Sequence, residues 1–185
     1  MSRPISSAEE TLSAHLPVRP CVGIMLVNAQ GLVWVGRRRP RWARSAPHYV
    51  SGGCVWQMPQ GGIDDGERLL DAAFRELREE TGIKSVTLLD ELPSWLSFAL
   101  PRDLIGLALK GKYRGQRLRW FAMRFDGDDG EIDIGPKRGA KAEFDDWRWV
   151  PLQEVPRLGM SFKRHIYEAV VEHFEKVASR QLVYA

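Results

Sequence analysis

The stretch from Gly61 to Ile83 constrains this chain more than any other, because it asks one helix to carry two opposed surfaces. Leu70, Ala73, Phe74 and Leu77 follow i, i+3, i+4, i+7 spacing and form an apolar stripe that has to be buried. At about 100° per residue, Glu76, Glu79 and Glu80 fall within about 100° of one another on a separate face. Ala72 lies beside the carboxylates and is expected to keep that face open. The spacing predicts a helix over 69–81, stopped by Gly82. Like charges at i, i+3 and i, i+4 destabilise a bare helix by a few tenths of a kcal/mol per pair, and acids in the last turn oppose the helix dipole. Two readings follow. The face is solvated and partnered by Arg75 and Arg78, or a hard divalent cation reverses the sign of the penalty. Oxygen ligands, retained waters and shared phosphate are what Mg²⁺ or Mn²⁺ prefers.

The rest of the 185 residues has to supply the surface that buries this stripe, and the length suits one domain. With 44% hydrophobic and 28% charged residues, the chain is not a disordered segment, a collagen or a coiled coil. No apolar run approaches the ~18 residues of a membrane span. The longest, Val22 to Val27, is strand-sized and pairs with Leu32 to Val35 across the turn Asn28-Ala29-Gln30-Gly31. Further strands are expected at Val86–Leu89, Trp95–Ala99, Leu118–Phe125 and Trp147–Val150. Phe162, Ile166, Val170, Phe174 and Val177 predict a last helix near 162–177, with Ser161 as N-cap. Strands broken by two separated helices give a mixed α/β domain. Two basic loops stand out. Arg37 to Gly53 holds Arg37, Arg38, Arg39, Arg41 and Arg44 with Trp42, Tyr49 and the pair Gly52-Gly53, and reads as a long loop. Asp133 to Ala142 holds Lys137, Arg138 and Lys141.

The formal charge is +3 with a sequence pI near 9.0, which permits an anionic partner without requiring one. Cys21 and Cys54 match neither a metal spacing nor a disulfide framework, so a reduced, cytoplasmic location without a membrane is expected. His15, His48, His165 and His173 show no ligand-like clustering. Trp120, Trp147 and Trp149 are expected in or beside the core, and Trp56 near the site.

The helix and its flanks match the Nudix box, G-x5-E-x7-R-E-U-x-E-E-x-G-U with U aliphatic, at Gly61, Glu67, Arg75, Glu76, Leu77, Glu79, Glu80, Gly82 and Ile83. A chance match in a chain of this length is on the order of one in ten million at background composition. The chain therefore resembles the Nudix hydrolase superfamily. That resemblance implies an α/β/α sandwich around a mixed sheet, with the box as a loop–helix–loop and a C-terminal helix. The implied chemistry is hydrolysis of a nucleoside diphosphate linked to another group. Arg19-Pro20, Trp56-Gln57, Trp95-Leu96 before Leu100-Pro101, Gln116 with Trp120-Phe121, Glu143-Phe144-Asp145 and Ser161-Phe162-Lys163-Arg164 occur in the order seen in bacterial RNA 5′-pyrophosphohydrolases, also called (di)nucleoside polyphosphate hydrolases. The similarity runs from about Arg19 to Phe174. The expected organisation is a mobile arm over 1–18, the hydrolase domain over 19–178 and a tail over 179–185.

The resemblance also implies roles. Glu76, Glu79 and Glu80 would hold the metal, and Glu143 would add a ligand or a general base; the competing reading makes Glu143 a surface acid, which Asp145 and Asp146 could equally be. Arg75 would hold the glutamates in register. Glu67 would orient Arg75 or a loop, or ligate through water. Gly61 and Gly62 would let backbone approach the phosphates. Arg19 and Arg38 match positions near the phosphates and the 5′ base, and Met160, Phe162 and Lys163 match positions that hold the base. The competing reading makes Phe162 the start of the core stripe of the last helix. The arginine loop is either a single-strand contact or a solvated surface. The substrate is expected to be 5′-triphosphate or diphosphate RNA. The alternative is a dinucleoside polyphosphate such as diadenosine tetraphosphate, and the remote alternative is a non-catalytic binding module, against which every box glutamate is retained.

Overall fold

The structure, a computed structural model, describes residues 15–50, 54–136 and 141–181. Most of the expected arm, Gly52-Gly53, Lys137-Arg138 and the last four residues lie outside them. Eight strands form one sheet: β1 (Val18–Val27), β2 (Val33–Arg38), β3 (Val55–Gln57), β4 (Gln60–Gly62), β5 (Val86–Glu91), β6 (Leu96–Ala99), β7 (Gly115–Phe125) and β8 (Asp146–Val150). The helices are α1 (Leu69–Thr81), α2 (Val155–Leu158) and α3 (Arg164–Gln181).

β1 is the spine. It runs parallel to β7 over its whole length, from Val18 opposite Gly115 to Val27 opposite Arg124. Its other edge is shared: the end of β1 turns back into β2 at Val27–Val33, while β4 pairs antiparallel with its first half at Cys21–Gly62 and Gly23–Gln60. The hairpin turn is closed by Asn28, whose Oδ1 accepts from the backbone N–H groups of Gln30 and Leu32 at 3.0 and 2.9 Å. β3 and β8 both pair with β2, and β5 and β6 with β7, all antiparallel, so the sheet is mixed.

Period-two alternation along β1 feeds two cores. Val22, Ile24 and Leu26 face α1, where Ala72, Ala73 and Leu77 are buried. Cys21, Met25 and Val27 face the opposite side, where Ile166, Tyr167, Val170 and Phe174 of α3 are buried. The sheet is thus covered on both faces, as the sandwich requires. On the α1 side, Phe144 sets its ring edge-on to Trp34 at 5.3 Å, over the α-carbon of Gly36. Glu143, its neighbour in sequence, is thereby tied to the core.

Several expectations are corrected. Phe74 is 36% exposed while Ala72 is fully buried. The buried stripe of α1 is rotated from the predicted one because the helix sits against β1 and β4, and small side chains permit that approach. Ala72 is therefore a packing contact and does not hold a face open. β3 and β4 are missing from the sequence reading because each has three residues and no alternation; pairing with β2 and β1 makes them strands. The last helix starts at Arg164, and Ser161–Lys163 forms a 3₁₀ turn before it, so Ser161 is not the helix N-cap. The arginine loop contains two further 3₁₀ turns, Arg41–Arg44 and Pro47–Tyr49. Gly82 does end α1, at φ 78°, with its N–H donating to Arg78 O at 2.9 Å.

The packing separates two phenylalanines. Phe144→Ala should lower stability by about 3–5 kcal/mol, as for a buried aromatic truncated in a core, and Phe74→Ala by less than about 1 kcal/mol. Urea denaturation of the two variants measures this. Similar losses would contradict the exposed placement of Phe74.

Candidate active site

One arginine ties together the box helix, the loop before it and the sheet. Arg75 Nε and Nη2 donate to the two oxygens of Glu67 at 2.7 Å each, a bidentate pair. Nη1 donates to Glu76 Oε1 at 2.8 Å, and Nη2 also donates to Gly62 O at 2.8 Å. Glu79 Oε2 lies 3.5 Å from Nη1. One guanidinium therefore gathers the loop before the helix, the helix and β4. Glu67 closes its own loop as well, accepting from the Asp64 N–H at 3.0 Å.

The two box glycines leave space for side chains. A Cβ on Gly61 would lie 2.0 Å from the Glu76 carboxyl, and one on Gly62 would lie 2.3 Å from Arg19 Nη2. Glycine here lets Glu76 and Arg19 lie flat against β4. Both glycines also line the cavity described next. Glu80, one turn further on, accepts from the Gln60 N–H at 3.0 Å.

A cleft of about 420 Å³ opens in front of these groups. Its lining unites Arg19, Arg38, Gly61, Gly62, Glu76, Glu80, Glu143, Met160, Phe162 and Lys163. Ten of the thirteen residues singled out in the sequence thus meet in one cavity. Of the other three, Glu67 and Arg75 stand behind the cleft as its clamp. Glu79 is 55% exposed and does not line it. Asp145 and Asp146 face away, bound to Arg37 at 2.7 and 3.3 Å, which leaves Glu143 as the cleft acid of that loop. Phe162 satisfies both readings at once: it packs on the core and lines the cleft. Trp56 is not part of the lining; it lies between Arg148 and Arg37, 4.3 and 5.8 Å from the ring centroid. The histidines are apart from the cleft, with His48 3.5 Å from Asp103 and His173 3.4 Å from Asp90.

The cleft also holds Trp42 of the arginine loop and residues that the sequence reading left unassigned, among them Phe98, Lys110, Lys112 and Tyr113. Lys110 and its neighbour Leu109 have φ of 58° and 51°. Non-glycine residues rarely enter that region, and no local residue pattern announces it here.

Charge in the cleft is unevenly balanced. Glu67 is held down to about 2 by the Arg75 hydrogen bonds and then by the Asp64 N–H. Glu76 is raised, first by burial, with Arg75 opposing. Glu80 is raised well above the ordinary carboxylate range, first by burial and then by the Glu143 charge. Lys163, 5% exposed and 4.6 Å above the Phe98 ring, is pushed down to about 7, first by burial and then by Arg38. Arg38 itself forms an ion pair with Glu143, its Nε 2.8 Å from Oε1.

Carboxylates that raise one another's proton affinity are a donor set that a hard cation relieves. Among the described residues no three acidic, imidazole or thiol groups converge into a ready cage. A cation that keeps several waters and shares phosphate oxygens needs none.

A NUDIX domain family model matches residues 17–170. An RNA pyrophosphohydrolase of Agrobacterium fabrum is 55% identical over 166 residues, covering 89% of this chain and 96% of that protein. One from Rhizobium meliloti is 56% identical over 160 residues, covering 86% and 94%. Among solved structures, the MutT protein of Methanosarcina mazei aligns with a TM-score of 0.60 at 18% identity, covering 88% and 98%. A C. elegans Ap4A hydrolase aligns at 0.57 and 16%, covering 86% and 99%. These two likenesses concern the fold alone. The family match and the relatives, which span nearly the whole of a chain whose box glutamates sit as described, place this protein in the NUDIX family.

Proposed function

We propose that this Nudix hydrolase removes pyrophosphate, or phosphate, from the 5′ end of triphosphorylated or diphosphorylated RNA. The observation that carries the reading is the cleft itself. Carboxylates at Glu76, Glu80 and Glu143 share one cavity with Arg19, Arg38 and Lys163 and with the ring of Phe162. That is an acid group for a cation, cations for phosphate and a face for a base. The names of the relatives from Agrobacterium fabrum and Rhizobium meliloti agree with it.

Hydrolysis of a phosphoric anhydride is limited by charge, since phosphate oxygens repel the attacking water. Nudix hydrolases use divalent cations; bound by Glu76, Glu79, Glu80 and Glu143, Mg²⁺ or Mn²⁺ would neutralise phosphate charge and make a water more acidic. The protein's own part is positioning. Arg75 holds one oxygen of Glu76, so the other is aimed without a search over rotamers. The Gln60 N–H does the same for Glu80. Lys163 is poised near neutrality, so an arriving phosphate draws the proton onto it and gains a buried ion pair. Arg38 exchanges Glu143 for phosphate, which frees that carboxylate either to ligate the cation or to take a proton from water. Phe162 receives the terminal base.

Dinucleoside polyphosphate hydrolysis is the second reading. Trp42, Phe98, Tyr113 and Phe162 all line the cleft, enough aromatic surface for a second base.

A competition assay tests the assignment. With Mg²⁺ or Mn²⁺ and equal concentrations of 5′-triphosphate RNA and diadenosine tetraphosphate, RNA should be consumed first, with release of pyrophosphate. Preference for the dinucleotide would transfer the assignment to the second reading. Glu80→Gln should keep the fold by circular dichroism and lose more than roughly 100-fold in kcat, beyond what an outer-shell group costs. The clamp has its own pH signature. Glu67 is lowered from 4.5 to about 2, so its stabilisation is complete above 4.5 and is lost as pH falls toward 2. The stability gap between wild type and Glu67→Gln, followed by urea denaturation, should therefore be flat above pH 5 and close below pH 3.

A further inference from the structure

The fold divides the five arginines of residues 37–44 into two sets. Arg37, Arg38 and Arg39 are neutralised by Asp145, Glu143 and Asp145, at 2.7, 2.8 and 2.7 Å. Arg41 and Arg44 are exposed and have no ion pair among the described residues. Both stand on the 3₁₀ turn Arg41–Arg44. Side chains at i and i+3 eclipse in such a turn, so the two guanidinium stems leave the same side, about 6 Å apart along the axis. The turn is fixed. Ala43 and Ala46 are 5% and 2% exposed, and the N–H groups of Ser45 and Ala46 donate to Trp42 O at 2.9 and 3.0 Å. Further along, Tyr49 donates to Asp103 at 2.9 Å and meets Phe162 edge-on at 5.4 Å.

Arg41 and Arg44 border a second, open hollow of about 730 Å³, walled also by Arg39, Pro40 and Ala43. Pro40 lines both this hollow and the catalytic cleft, and Trp42 of the same turn faces the cleft. We propose that the hollow carries the phosphodiester backbone of the RNA downstream of its 5′ end, with Arg41 and Arg44 each meeting a phosphate. The inference rests on RNA being the substrate. Two like charges held on one rigid turn repel each other, and no carboxylate among the described residues balances them; successive phosphates would, and a guanidinium pairs with phosphate through two parallel hydrogen bonds. The hollow begins where the cleft ends, so a strand whose first base lies on Phe162 has a continuous cationic path. A mononucleotide or a dinucleotide confined to the cleft makes no use of it. The solvated-surface reading of this loop then applies to neither Arg41 nor Arg44.

The test uses the full chain and the double variant Arg41→Gln/Arg44→Gln. Anisotropy of a fluorescent 5′-hydroxyl RNA 12-mer, which has no anhydride to cleave, is followed from 50 to 300 mM salt. Two lost single-strand phosphate contacts should reduce the slope of log affinity against log salt by about 1.4. The variant's kcat/KM should fall about tenfold on a triphosphorylated 12-mer and stay unchanged on a triphosphorylated dinucleotide. Arg41→Lys/Arg44→Lys should retain most of the slope. If the double variant fails to fold, each single variant should lower the slope by about 0.7. An unchanged slope, or an equal loss on the 12-mer and the dinucleotide, overturns the hollow as an RNA track. Failure of the RNA reading itself shows separately, as absence of wild-type turnover on the triphosphorylated 12-mer.

Discussion

The arrangement of this site depends on Arg75. Its guanidinium, 21% exposed, makes four hydrogen bonds of 2.7–2.8 Å to Glu67, Glu76 and Gly62. A helix that places three glutamates on one face is electrostatically unfavourable, and the last-turn dipole adds to the cost. Charge-assisted hydrogen bonds of this kind contribute about 1.5–3 kcal/mol each, which exceeds the few tenths lost per like-charge pair. The clamp thus lets an intrinsically strained acidic face exist before any cation arrives. It does so asymmetrically. Glu67 is satisfied and stays ionised, while Glu76 and Glu80 keep raised proton affinities. Unspent electrostatic demand is left on Glu76 and Glu80, both of which line the cleft.

The glycines of β4 explain how the clamp reaches its partners. Gly61 and Gly62 have no side chains of their own, so the Glu76 carboxyl and the Arg19 guanidinium lie on their α-carbons, where a Cβ would be 2.0 and 2.3 Å away. The spine strand β1 fixes the position of β4 through the Cys21–Gly62 and Gly23–Gln60 pairs. Burial of Ala72, Ala73 and Leu77 fixes the height of α1 over the sheet. The distance of these carboxylates from β4 is therefore set by core packing. A larger residue at 72 or 73 lifts the helix, and with it every carboxylate, off the strand it works against.

Local spacing was legible in the sequence, and non-local pairing was not. The box residues follow from spacing, since two helical stripes and a glycine stop leave little freedom, and the cleft unites ten of the thirteen residues singled out. What the sequence hid is non-local. β3 and β4 are strands only because β2 and β1 pair with them. Phe74 fits the helical period but is exposed, because the tertiary contact selects the small residues beside it. Lys110, Lys112 and Tyr113 join the cleft through a loop whose backbone enters the left-handed region at Leu109 and Lys110 without a glycine at either position. Of Glu143, Asp145 and Asp146, only Glu143 lines the cleft, while the two aspartates pair with Arg37, and that sorting is made by tertiary structure.

The same sorting explains why net charge is a poor guide to this surface. A formal charge of +3 says little about partners. Topology decides which charges remain available. β2 and the loop before β8 are brought together by the Val33–Val150 to Arg37–Asp146 register, and that pairing consumes Arg37, Arg38 and Arg39 on the acids of 143–146. Arg41 and Arg44 lie just beyond the end of β2, where the partner strand has no counterpart. A run of arginines that looks uniform in sequence is thus divided by strand pairing, one part building the site and the other left facing outward at the mouth of the cleft. Pro40 joins that outward pair to the cleft, so on the proposed track Arg41 and Arg44 would respond to the length of an RNA and not to the chemistry at its anhydride.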